Sequence, residues 1–308
     1  MILKKKRNVF VVAITSLLLL AACDDDSSTS PITPSNNEQS SSSIDLANSS
    51  STPVSLSSSS SSVEQNCSAF LDGETGWSWN VPKECRFNPD IDYGTMTDPR
   101  DNKVYKTIKI GDQVWMAENL NYSDSITTKS LLKRSWCHEN VAANCDVAGR
   151  LYTWAAAIDS VKLATDADNP QDCGSFKTCT LPTTVQGICP DGWHLPTNTE
   201  WITLLTEVGG SSTATIACKI LKSKTGWYDN SNGTDDVGFS ALPAGLRNYN
   251  GFFYSDGSEA AFWSATERKG DIAYLMDLNY LMDLNFGELK YLYENSKRYG
   301  FSVRCLKD

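Results

Sequence analysis

Histidine is almost missing from this chain, with 2 among 308 residues, His138 and His194. Neither has a second histidine close by, and there is no HExxH helix, no G-x-S-x-G elbow and no phosphate-binding glycine loop. The common metal, nucleophile and phosphoryl-transfer sites therefore lack their residues. No CxxC pair occurs, which together with so few histidines argues against a structural zinc site. A basic surplus is missing too: Lys and Arg number 27 against 37 Asp and Glu, a formal charge of −10, whereas a nucleic-acid partner calls for a positive face. The one long apolar run, from Val9 to Leu20, has about a dozen residues, too few to stay in a bilayer as a spanning helix.

That run has another use. Lys4, Lys5, Lys6 and Arg7 precede it and Leu20, Ala21, Ala22 and Cys23 end it, the charged, apolar and small-residue order of a secretory signal. The last four residues resemble the lipobox at which bacteria acylate a cysteine and cut before it. The expectation is that residues 1–22 are removed and that Cys23 carries the fatty acyl chains; several chains on one residue make a lasting anchor where a single one is marginal. Cleavage removes four basic residues and no acidic one, taking the formal charge from −10 to −14. The stretch that follows is dominated by Asp, Ser, Thr, Pro and Asn, with too little apolar surface to offset the entropy of ordering it. Residues 23–66 are thus expected to be a disordered tether. A coil of about 43 residues spans roughly 35 Å root-mean-square, enough to lift a domain off a membrane. The expected setting is the bacterial envelope, at the outer membrane or cell surface, with the membrane itself as a partner through the lipid.

Of the 10 cysteines, those after Cys23 read as disulfides in an exported chain. Spacing favours Cys67–Cys85, Cys137–Cys145 and Cys173–Cys179 as local loops and Cys189–Cys305 as a long-range clasp, leaving Cys218 over, although spacing alone does not establish connectivity. All 9 tryptophans lie between Trp77 and Trp263. Residues 67–90 form a short Trp-rich extension, and 91–308 are the globular domain.

Within that domain, Lys103–Ile110 alternates apolar and polar side chains, Gly111 and Asp112 turn the chain, and Gln113–Met116 returns it, a β-hairpin. From Gly149 to Ala164, Leu151, Trp154, Ala155, Ile158 and Val161 follow helical spacing. Thr197 and Glu200 make a capping box for a second helix with Trp201, Leu204, Leu205 and Val208 as its stripe and Gly209 and Gly210 as its stop. Ser211 to Ser223 reads as a third helix with Ile216, Ile220 and Leu221 inward. Tyr274–Asn279 (YLMDLN) is repeated at once as Tyr280–Asn285, an even-numbered duplication that keeps every strand side chain on its face. Phe301, Val303 and Cys305 alternate as one face of a last core strand. His194, between Trp193 and Leu195, reads as structural.

The motifs Gly111–Leu120 (GDQVWMAENL), Gly149–Trp154 (GRLYTW), Cys189–Thr197 (CPDGWHLPT) with Glu200 and Trp201, Gly233–Asp236 (GTDD), Phe262–Thr266 (FWSAT) and Gly300–Cys305 (GFSVRC) resemble the Fibrobacter succinogenes major paralogous domain, from about Tyr93 to the C-terminus. The family is similar, more distantly, to the C-type lectin-like and formylglycine-generating-enzyme folds. The resemblance implies an α+β architecture, two helices on short twisted antiparallel strands with long loops as the ligand face. It also implies the Cys189–Cys305 clasp, because lectin-like folds tie those regions together. Formylglycine-generating enzymes use a cysteine pair near the C-terminus, and here Cys305 stands alone there.

No enzymatic activity is expected. Asp235 and Asp236 are a carboxylate pair, but neighbours on a loop point apart more often than they flank a bond. The expected function is binding of an extracellular polysaccharide or an envelope protein. The alternatives are a structural envelope module without glycan binding, or an enzyme of the formylglycine-generating or glycan-active kind. Asp229, Asn230, Asn232, Asp235 and Asp236 crowd oxygen ligands around Gly233 as Ca²⁺ loops do, though not in EF-hand spacing; the competing reading is an Asn/Asp/Gly turn that caps its own backbone. With such an ion, Trp227, Tyr228, Arg247, Tyr249 and Trp263 are the side chains expected beside a sugar.

Overall fold

The computed structural model describes residues 67–209, 214–279 and 292–308. Strands β1 (Gly94–Thr97), β2 (Val104–Ile110) and β3 (Gln113–Met116) open the domain. The alternating side chains give the hairpin expected of them: Ile110 pairs with Gln113, Ile108 with Trp115 and Thr107 with Met116. Gly111 takes φ +57°, the positive angle that a glycine-first two-residue turn requires. The chain end returns here, since β12 (Leu306–Lys307) lies between β3 and β6 (Trp193–His194), making the order β1-β2-β3-β12-β6.

A second sheet, β11-β10-β9, is built from Leu292–Ser296, Ile272–Asn279 and Glu259–Lys269. It explains why the domain has two large cores. Alternate residues of β9 and β10 point to opposite sides: Ala261, Trp263 and Leu275 join Tyr152, Trp154 and Phe301, while Ala260, Phe262, Met276 and Leu278 join Trp115, Trp201, Trp227 and Phe239. The first YLMDLN copy lies in β10; the second falls outside the described residues. Two small ribbons, β4–β5 (Ser135–Trp136, Leu151–Tyr152) and β7–β8 (Ala244–Arg247, Phe253–Asp256), complete the strands among the described residues.

The helix Asn198–Glu207 carries the full capping box, with Thr197 accepting from the Glu200 N–H and Glu200 from the Thr197 N–H. Other expectations need correction. Gly149–Ala164 is not one helix: it is β5, then short helices Trp154–Ala157 and Ser160–Ala164 broken at Asp159, which takes φ +51°. The break has a cause in neighbouring segments. The Ala157 carbonyl accepts from the Ile188 N–H, and Asp159 Oδ1 accepts from Ser130 Oγ at 2.6 Å. In the helix Ala214–Leu221, Ala217, Cys218 and Leu221 face the core and Ile216 is 45% exposed. The GFSVRC segment is buried on both sides; it makes single bridges through Gly300, Phe301 and Ser302, and regular pairing starts only at Leu306.

Four disulfides join Cys67–Cys85, Cys137–Cys145, Cys173–Cys179 and Cys189–Cys305. Cys218 is buried in the second core, outside these pairs. The extension packs on the domain through Trp77, which contacts Ala148, Leu242 and Ala244 and lies 4.5 Å beneath the Arg86 guanidinium. The fold is thus α+β, mostly antiparallel and disulfide-braced. No helix among the described residues is long and apolar enough to cross a membrane.

Candidate functional site

The segment Asn248–Tyr254 (NYNGFFY) follows an arginine and holds four aromatic rings around an Asn/Gly turn. Asn and Gly close the turn, with Gly251 N–H donating to Asn248 O and Asn250 N–H to Asn248 Oδ1. Packing then leaves the rings outside: Tyr249 is 57%, Phe252 62% and Tyr254 48% exposed. Tyr249 is edge-on to Tyr299 at 5.7 Å, and the Arg298 guanidinium lies over both Tyr249 and Phe176.

Arg247 stands at the base of this patch. Its guanidinium lies 3.8 Å from the Trp136 ring and 5.8 Å from Phe253. The stack continues inward through His138, 5.1 Å from Phe253, to Trp79, 5.0 Å from His138. Burial keeps His138 below the usual histidine pKa, and its Nε2 is 3.9 Å from Asp256, beyond hydrogen-bond reach. Two backbone features hold Arg247. Its N–H and C=O pair with Gly300, where a Cβ would sit 3.2 Å from Arg247 Cβ and 3.6 Å from Trp136 Cε3. Gly251, at φ +97°, lets the turn pass over the guanidinium, a Cβ there falling 3.0 Å from Nη2.

The side chains expected to surround a sugar are not all brought together. Arg247 and Tyr249 belong to one short segment, Arg247 against Trp136 and Phe253 and Tyr249 against Tyr299 and Arg298. Tyr228 is 42% exposed and packs against Gly257 and Gly76. Trp227 and Trp263 are corrected: both are 0% exposed, each in a different core, Trp227 with its Nε1 donating to Ser223 Oγ and Trp263 to Tyr152 O. A ring enclosed on both faces has none to offer a ligand. Trp136, Phe252, Phe253, Arg298 and Tyr299 were not anticipated. The aromatic run after Arg247 is a local signal for two of them, whereas Trp136 arrives only through the pairing of β4 with β5 and of Tyr152 with Phe301.

Nor do the five expected oxygen ligands converge. Asp235 is buried and caps its own turn, Oδ1 accepting from Ser240 N–H and Oδ2 from Ser240 Oγ, both at 2.7 Å. Asn232 Oδ1 accepts from the Trp227 N–H at 2.9 Å. Asp229 and Asn230 sit at positive φ on the surface, and Asp236 is exposed. Burial pushes the Asp235 carboxyl up to about 6. Among the described residues no three His, Cys, Asp or Glu side chains gather as a metal set would.

A cleft of about 490 Å³ opens between the extension and β2–β3, walled in part by Lys83, Phe87, Tyr105, Glu118 and Asn121. Two of its charges are paired: Lys83 Nζ donates to Glu118 Oε2 at 2.5 Å, and Glu118 Oε1 also accepts from the backbone N–H of Lys106 at 2.6 Å. His194 is likewise committed, its ring nitrogens 2.7 Å from Asp308 and 2.9 Å from Glu200, as the structural reading requires.

A family model described as the Fibrobacter succinogenes major domain matches residues 108–307. No curated protein and no solved structure matches the chain.

Proposed function

The chain belongs to the Fibrobacter succinogenes major domain family, and from that premise we propose that it is a lipid-anchored envelope protein whose domain binds an extracellular glycan, without catalysis, on the Arg247–Tyr249 face. The observation that carries this reading is the set of exposed rings, Tyr249, Phe252 and Tyr254, on a short ribbon fixed by pairing to the Gly300 segment. Flat aromatic faces take the apolar face of a sugar with little loss of their own freedom, since few torsions need to be ordered. The lipobox-like ending at Cys23 and the serine-rich residues 23–66 support the anchor and tether. The capped helix, the Cys189–Cys305 clasp and the buried terminal segment fit a C-type lectin-like arrangement.

The test is a polysaccharide array probed with the intact chain in detergent. Binding that falls at least about tenfold in Tyr249→Ala/Phe252→Ala, with an unchanged melting temperature, is expected from the loss of two stacking rings. A chain that retains no polysaccharide at all contradicts glycan binding and leaves the structural envelope module as the reading.

A further inference from the structure

Resting on the glycan reading, we infer that the sugar held on this face carries a carboxylate, a uronic acid, and that Arg247 is the residue that reads it. Arg247 differs from the other described arginines in what its guanidinium touches. Arg100 reaches Asp98, Arg268 reaches Glu294 and Arg298 reaches Asp271, while Arg304 donates to backbone carbonyls and Asn119. Arg86, Arg134 and Arg150 have no ion pair among the described residues, but donate to Ser78 O, to Ser160 Oγ, and to Ser135 O and the Cys137–Cys145 sulfurs. Among the described residues the Arg247 guanidinium has no ion pair and no hydrogen bond; its Nε is buried without a partner. Half-buried charge of this kind is costly unless something pairs with it.

The surroundings orient this unpaired fork. The Trp136 ring lies 3.8 Å from the guanidinium carbon on one side, and the planar guanidinium fork matches a carboxylate through two parallel N–H donors. Exposed Tyr249 and Phe252 stand at the same turn, whose Gly251 comes close enough that a Cβ there would lie 3.0 Å from Arg247 Nη2, so a sugar ring resting at this turn has the fork beside it. The nearby Arg298 is already neutralised by Asp271, which leaves one cation for one anion. The whole chain is acidic, with a formal charge of −10, and repels any polyanion at long range. The same repulsion means that an acidic polymer retained by this protein is held locally.

The probes are polygalacturonate, its fully methyl-esterified form and a neutral β-glucan, each titrated into the intact chain in detergent, with Trp fluorescence as readout. Polygalacturonate is expected to bind at least about tenfold more tightly than its ester, as for a charge-assisted pair, and to weaken as salt rises. Arg247→Gln and Arg247→Lys should both erase that preference, the lysine because it keeps the charge and loses the fork. The wild-type comparison of acid with ester stands even if neither variant folds. Equal binding of acid and ester, abolished by Tyr249→Ala/Phe252→Ala, would overturn the carboxylate inference and keep the glycan reading. Retention of none of the three polymers overturns both.

Discussion

Arg304 shows how a charged residue becomes part of a core. It is 0% exposed, its Nε donates to Asn119 Oδ1 at 2.9 Å and Nη2 to Ser240 O at 2.8 Å, and it lies 4.4 Å from the Phe239 ring. Burial lowers its pKa to about 9, so it remains charged at neutral pH. Arg304→Met would leave the Phe239 and Ser240 carbonyls without their donors; a loss of about 3 kcal/mol or more is expected in urea unfolding. Asp235, across Ser240, carries a folded pKa of about 6 against an ordinary 3.8, raised by burial. The folded form therefore binds the proton more tightly, and stability falls as pH rises from about 4 to 6. Asp235→Asn should flatten that slope in urea midpoints measured across the range; an unchanged slope contradicts the assignment. Because the Asp235 carboxylate is spent on Ser240, millimolar Ca²⁺ should leave the melting temperature unmoved. A rise that disappears in Asp236→Asn would restore the ion-binding reading of Gly226–Asp236. Residue type announced a turn at this loop, but which oxygens face inward depends on Ser240 and Asn88, contacts that no local pattern displays. Trp227 and Trp263 failed as ligand residues for the same reason: an aromatic side chain does not say by itself which side of the surface it occupies.

Elements were legible in proportion to how local their causes are. The capping box at Thr197 and Glu200 and the Gly111 turn use residues within a few positions of each other, and both formed where the pattern placed them. The break at Asp159 depends on Ser130 and Ile188, drawn in from other elements, so helical periodicity overran it. His194 ties three elements together, linking β6 to the capped helix through Glu200 and to the chain end through Asp308. Burial disfavours its charge, but hydrogen bonds donated by the ring to the two carboxylates outweigh this and raise its pKa above the ordinary 6.5. A raised histidine contributes stability below its unfolded pKa and loses it as pH climbs through the folded value. The wild-type protein should thus weaken as pH rises above about 6.5, and His194→Gln should lack that decline in urea titrations. Identical pH profiles for the two proteins contradict the His194 link to Glu200 and Asp308.

At the scale of the whole molecule, two linkages organise the account. The Cys189–Cys305 disulfide spans 116 residues and joins the turn before the capped helix to the terminal segment that supports Arg247. In the chain-entropy argument a closed loop of that length contributes on the order of 4 kcal/mol. Cys189→Ser/Cys305→Ser should lower stability on that scale. The other linkage is to the membrane: Cys23→Ser should release the chain from salt-washed membranes and change its gel mobility, and a variant still held with unaltered mobility contradicts lipid anchoring. Whether the ribbon β7–β8 is where the domain meets its ligand is tested most directly by hydroxyl-radical footprinting of the intact chain with and without bound polysaccharide. Protection of Tyr249, Phe252 and Tyr254, with Phe87 and Tyr228 unchanged, is the predicted result; protection confined to Phe87 and the walls of the cleft beside Lys83 and Glu118, with the ribbon still open to oxidation, would contradict it.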